Sequence, residues 1–360
     1  MSTLPLTYDE CRARFRRAAA DADRPLLDRA IEARGPFDQR LTIDASWLGS
    51  DRPERALVVM SGTHGVEGFI GSALQCDLLD RLDPAALPTD VAVLLVHAVN
   101  PWGMAWWRRQ NESNVDLNRN WARDRGDPPT NPGYPELHPL LCPDGDEPPT
   151  AASFLDPIAR YVEEHGIAWV RAAVSGGQYT HRDGLYFGGD RVEASTRIVG
   201  EVVAEHLAGA RAALSIDLHT GHGAYGEPTI LSDQPLESPG DGWLRARFDP
   251  DIVETTVGDP DATSATKVGQ LGHGFAELLP DAEYHSVTLE IGTYRDTRML
   301  LHERAEHWVH RHGDRSDPAH AAIVWDHRTA STPHDPAWVA AAMRHGRRVL
   351  DDGLTAIIRT

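Results

Sequence analysis

Four short runs of apolar and β-branched residues constrain this chain more than any other feature, because each stops abruptly at polar or charged residues: RALVVMS (55–61), VAVLLVHAV (91–99), ALSIDLH (213–219) and HSVTLEIG (285–292). Runs so apolar read as strands buried on both faces, the mark of a parallel sheet covered by helices. A protein of that build gathers its site outside the carboxyl ends of its strands, where residues distant in sequence converge. The segments that end or follow these runs, SGTHGVE (61–67), VDLNRN (115–120), SIDLHTG (215–221) and VTLEIGT (287–293), place histidines, glutamates and an Asn-Arg pair there.

The rest of the chain supplies the helices such a sheet needs. Helical spacing from Tyr8 to about Arg34, stopped by Gly35-Pro36, predicts an N-terminal helix, and Leu41–Leu48 an edge strand. Further helices are expected over Gly68–Leu82, Ala152–His165, Arg191–Leu207, Gly269–Leu279, Met299–His312 and Ala337–Leu354, with another strand at Ala168–Val174. Between Arg123 and Thr150 eight prolines and little periodicity predict a long surface excursion. Strands alternating with helices imply an α/β chain, and the absence of a repeat or linker implies one domain across residues 1–360.

Composition narrows the partners. A formal charge of −19 repels phosphate backbones and anionic headgroups, so neither nucleic acid nor membrane is an expected partner. Cys11, Cys76 and Cys142 have neither metal-ligand nor disulfide-framework spacing, which fits a reducing compartment. With no apolar leader and no run of about 18 apolar residues, a soluble cytoplasmic protein is expected.

His64 and Glu67 stand three residues apart after a buried strand, so an imidazole and a carboxylate can face one point from one turn of chain. Taken alone the pair reads rather as a hydrogen-bonded loop histidine beside a solvated glutamate. His219, ending a second strand, completes the His-Glu-His count of a catalytic zinc site that keeps one position for water. His222 is the competing ligand, and the helical HExxH motif is absent. Glu290, a charge at the end of an apolar strand, is either a general base for an attacking water or a salt-bridged strand end. Arg108, Arg109, Asn118 and Arg119 crowd one segment and could grip a substrate carboxylate, or merely neutralise an acidic surface. Asp116 is the expected partner orienting a ligand histidine.

Together HGVE, RR followed by VDLNRNW, DLHTG and LEIG resemble the signature of the zinc carboxypeptidase superfamily, which includes the aspartoacylase and succinylglutamate desuccinylase deacylases; the chain is most similar to a bacterial-type branch of it. The resemblance implies a mixed eight-stranded sheet in a three-layer α/β/α sandwich. It implies one zinc ion held by His64, Glu67 and His219, with Glu290 as base. It also implies Asn118 and Arg119 on the substrate carboxylate, and Arg108 or Arg109 polarising the scissile carbonyl. Expected chemistry is hydrolysis of an amide next to a free carboxylate, in a peptide or in an N-acyl amino acid. Members that trim peptides carry a mobile tyrosine about two dozen residues before the base, yet none stands between Thr255 and Glu283 here; Tyr179, Tyr225 or Tyr294 would have to replace it. A non-catalytic metal-binding protein of the same fold is the rival from another class. A serine esterase is disfavoured because no GxSxG elbow occurs.

Overall fold

The computed structural model describes residues 4–121, 128–259 and 262–360. In chain order it begins α1 (Tyr8–Asp21), β1 (Leu26–Arg34), β2 (Arg40–Gly49), β3 (Arg55–Ser61), α2 (Gly68–Arg81), β4 (Val91–His97) and α3 (Pro101–Trp106). There follow α4 (Leu117–Asn120), α5 (Tyr134–Leu141), α6 (Ala152–His165), α7 (Ile167–Ser175), α8 (Ala194–Leu207), β5 (Ala212–Gly221) and β6 (Pro228–Pro235). The chain closes with α9 (Pro239–Arg245), β7 (Val253–Val257), α10 (Leu271–Leu278), β8 (Glu283–Gly292), α11 (Asp296–His312), α12 (Pro318–Ser331) and α13 (Pro336–Arg359).

The four apolar runs lie side by side. Strands β4, β3, β5 and β8 are mutually parallel at the centre of an eight-stranded sheet ordered β1-β2-β4-β3-β5-β8-β6-β7, with antiparallel pairs joining β2 and β6 to that centre. Alternation along each strand feeds two cores. Leu57, Val59, Leu214 and Ile216 face α2 and α13, whereas Ala56, Val58, Met60 and Ala213 face α8 and α10. Full burial of each such Leu, Val, Ile or Met side chain contributes about 1.5–3 kcal/mol, so the centre of the sheet is a stiff platform for whatever stands on its ends. The three-layer mixed sandwich expected from the motifs is therefore the observed one.

Three local expectations need correction. The N-terminal helix ends at Asp21, and Leu26–Arg34 is the edge strand, pairing antiparallel with β2 so that Leu26 lies opposite Ser46 and β2, expected at the edge, lies one strand in. Residues 168–174 belong to a helix, α7, not to a strand. The proline-rich excursion is also partly folded: α5 within it buries Tyr134, Leu137 and Leu141 against Phe154, Val170 and Val174 in a satellite core outside the sheet; its first residues, up to 127, lie outside the described ones. Among the described residues no helix is long and apolar enough to cross a membrane.

Candidate metal centre

After β3 the chain must turn at once, and Gly62 does so with φ +70°, while Val99 N and Asn100 N donate to Ser61 O and Gly62 O and fasten the turn to the end of β4. His64 leads into a single 3₁₀ turn, Gly65–Glu67, that presses on α3 so closely that a Cβ on Gly65 would lie 2.0 Å from the Gly103 carbonyl carbon. Val66 N donates to Arg108 O at 3.0 Å, which ties the turn to the arginine segment. In this way the i, i+3 pair is held rigidly beside the end of β5.

There His64, Glu67 and His219 converge, all buried, with one ligand atom from each lying within 4.8 Å of the others. Nδ1 of His64 is 3.1 Å from Glu67 Oε1, and Nδ1 of His219 is 2.9 Å from Glu67 Oε2. The opposite nitrogens face carboxylates: His64 Nε2 is 3.1 Å from Asp116 Oδ1, and His219 Nε2 is 2.8 Å from Asp217 Oδ2. A carboxylate on Nε2 keeps the proton there and turns the Nδ1 lone pair inward, the arrangement that orients histidine ligands of metal ions. The donor set thus fits a divalent cation.

Electrostatics agree with the geometry. Burial resists the charge on Glu67, but His64 and His219 outweigh it and hold its carboxyl far below the ordinary range. Burial likewise opposes protonation of His219, yet Asp217 and Glu67 win and raise its pKa well above the usual value. Asp116 is kept ionised against burial chiefly by Arg109, then by Arg119 and His64.

Glu290 sits opposite His219 in the parallel register of β5 and β8. Burial first, then the charge of Glu67, raises its pKa. It lines a pocket of about 50 Å³ shared with His64, Asn118, Arg119 and His219, and also the large cavity of about 480 Å³ beside it.

The two arginines separate cleanly. Arg108 turns away into the helical layer, where its Nε donates to Glu306 at 3.1 Å and Nη2 to Gln110 at 3.2 Å; it is fully buried and does not line the cavity. Arg109 faces the cavity, with Nε and Nη2 each 3.1 Å from Asp116 Oδ2 and Nη1 3.3 Å from Glu67 Oε1. The expectation of a substrate-facing Arg108 is corrected by its ion pair with Glu306.

Asn118 also differs from its expected placement. Its Nδ2 donates to Asp217 at 3.2 Å and lies 3.2 Å from His219 Nε2, while Oδ1 accepts from Leu271 N, so the side chain braces the Asp217–His219 pair. Arg119 does line the cavity: two of its nitrogens donate to Asn118 O and Ser175 O, and its buried Nε has no partner among the described residues. His222 stands apart from the ligand group, ion-paired with Asp296 at 3.3 Å and Glu254 at 3.8 Å, and although burial opposes its charge these acids push its pKa up to about 10.

Several residues at the site were not legible in advance. Asp217 had a signal, since a carboxylate two residues before a strand-end histidine shares its face. Lys267 had none; its Nζ donates to Ala265 O at 3.1 Å and burial lowers its pKa to about 8. Tyr179, Tyr225 and Tyr294 do not line the cavity, whereas Tyr186 does, its hydroxyl donating to Glu303 at 2.9 Å beneath the Arg109 guanidinium.

No curated protein matches the chain. Similar solved structures include a succinylglutamate desuccinylase from Chromobacterium violaceum (16% identity over 89% of this chain and 74% of that one, TM-score 0.40) and a murein-tripeptide amidase from Escherichia coli O157 (18%, 91% and 98%, TM-score 0.39). A metallo-carboxypeptidase from Burkholderia cenocepacia is similar at 12% identity over 86% of this chain and 69% of that one, with a TM-score of 0.39. Such scores are low, and the chemistry of the site rests on this chain's own side chains. A family model described as a protein of unknown function, DUF2817, matches residues 5–345, and the chain belongs to that family.

Proposed function

We propose that the protein is a zinc-dependent hydrolase of an amide bond next to a free carboxylate. One observation carries the reading: two carboxylate-oriented imidazoles and Glu67 converge beside Glu290, which lines both the small pocket of the imidazoles and the large cavity. His64, Glu67 and His219 would hold the ion. When bound, zinc supplies Lewis-acid polarisation of the carbonyl and acidifies water.

The remaining tasks fall to the chain. The pocket shared by Glu290 and the two histidines, about 50 Å³, exceeds the roughly 10–15 Å³ one water needs. Glu290 Oε would take a proton from that water and deliver it to the departing amine, and a carboxyl raised by burial and Glu67 is suited to both transfers. Arg109, braced by Asp116, would meet the negative charge that develops on the carbonyl oxygen. Arg119, with Lys267 on the same wall, would hold the substrate carboxylate, and Asn118 would act through Asp217 on the orientation of His219.

The test is Glu290→Gln with zinc content measured beside turnover on blocked dipeptides and N-acyl amino acids. Turnover should disappear while one zinc per chain remains. A variant that still turns over removes Glu290 from the proton path, and a parent that cuts neither substrate class favours a binding protein of the same fold.

A further inference from the structure

The large cavity has a wall that amide chemistry does not use. Leu155, Ile158 and Val162 lie at helical spacing on one face of α6, and Ile167, Val170 and Val174 continue the lining from α7. Four of these six already serve the satellite core: Val170 and Val174 are buried in it, and Ile158 and Val162 pack against it. The face that remains is open: Leu155 is 40% exposed and Ile167 50% exposed. It lines the same cavity as Glu67, Arg109 and Glu290.

We infer that the substrate carries an extended apolar group, an aliphatic acyl chain or an apolar amino-acid side chain, seated against α6 and α7. This rests on the hydrolase reading for the position of the reacting bond, but not for the binding of the chain. The volume, about 480 Å³, is many times the roughly 10–15 Å³ that one water needs, enough for an amino acid with a chain of several carbons. The cationic side chains on the wall, Arg119, Arg171 and Lys267, suit a single carboxylate. The occupant is therefore amphipathic. Small polar acyl groups such as acetyl or succinyl would leave the wall wet and are expected to be poor substrates.

The experiment titrates the zinc-loaded full chain with unreactive straight-chain carboxylates from butanoate to decanoate. Affinity should rise about fourfold per methylene until the wall is covered, the equivalent of about 0.8 kcal/mol each. Leu155→Asp and Ile167→Asp change surface-exposed side chains, so folding tolerates them; each should weaken decanoate about tenfold and change butanoate less than twofold. Cleavage of N-acyl amino acids of increasing acyl length, compared with blocked dipeptides of increasing side-chain size, then assigns the chain to one side of the bond. An affinity flat with length, or a length dependence untouched by both variants, overturns the inference. So does an effect of the variants on self-association alone, which would make this face a contact between copies. Length-dependent binding without cleavage in any series would sink the hydrolase reading and leave the apolar site standing.

Discussion

Replacing Asp116 by Asn separates metal orientation from mere folding. The parent carboxylate is fully buried and accepts from Asn118 N at 2.9 Å and from Arg109 Nε and Nη2 at 3.1 Å each, while Oδ1 faces His64 Nε2 at 3.1 Å. An amide has one oxygen to serve these donors. If that oxygen keeps His64 and Asn118 N, the amide nitrogen confronts the two Arg109 donors, and two charge-assisted bonds worth about 1.5–3 kcal/mol each are lost. Arg109 retains Glu67 at 3.3 Å and Glu303 at 3.5 Å, so part of the loss is recovered, by a guanidinium that now draws on the carboxylate proposed to bind the metal. Breaking a buried ion pair costs about 3–5 kcal/mol, and the recovery places the expected loss in stability of the metal-free protein near about 3 kcal/mol. Zinc affinity should fall roughly 10–100-fold, as removal of such orienting partners typically does. Competition with a chelator of known affinity gives the second number, and denaturant unfolding of the metal-free protein gives the first. A variant destabilised as expected but binding zinc within twofold of the parent would refute the reasoning, because Asp116 would then serve Arg109 and not His64.

Arg108→Gln should lower stability by about 3 kcal/mol, since Glu306 keeps Arg315 as a partner at 2.6 Å, and leave kcat unchanged; Arg109→Lys should lower kcat roughly 100–1000-fold with a smaller loss of stability. Melting curves and kcat measured side by side decide this, and the opposite pattern would exchange the two roles. Zinc binding at pH 7 should release close to one proton from His219, because Asp217 and Glu67 raise its pKa against burial, whereas an ordinary imidazole of pKa about 6.5 would release about a quarter. The proton must leave before the imidazole can bind, so affinity falls as pH falls through the neutral range; calorimetry in buffers of different ionisation enthalpy counts the protons, and a value of a quarter or less contradicts the shift.

The central strands were legible because both faces of each are buried, so RALVVMS and VAVLLVHAV hold almost nothing but apolar residues. The edges were not. In β1 only Ile31 is buried, and a half-exposed edge strand rich in Leu, Ala, Arg and Glu has the composition of a surface helix. The opposite error at Ala168–Val174 has the same root. A short apolar run does not reveal its period, and here it packs into the satellite core beside α5 and α6, where a helix of nine residues is covered as well as a strand would be.

The site divides along the same line. His64, Glu67, His219 and Glu290 were found because regular strands deliver them: β5 and β8 end level, Gly221 opposite Gly292, and β3 ends at Ser61 opposite Leu218, so a residue's distance from the end of its strand fixes its place in space. Arg108 and Arg109 differ by one position in a loop, where no period assigns a direction, and only the ion pair between Arg108 and Glu306 on α11 decides which one turns inward. Lys267 and Tyr186 come from loops as well, and the apolar wall comes from helices outside the sheet. The proposed metal ligands and base thus stand at the stiff, legible part of the fold, and the surfaces proposed to choose a substrate stand on the part whose position depends on tertiary packing. A sequence with these motifs can therefore disclose the proposed chemistry, while the length and polarity of the proposed substrate would be set by α6 and α7.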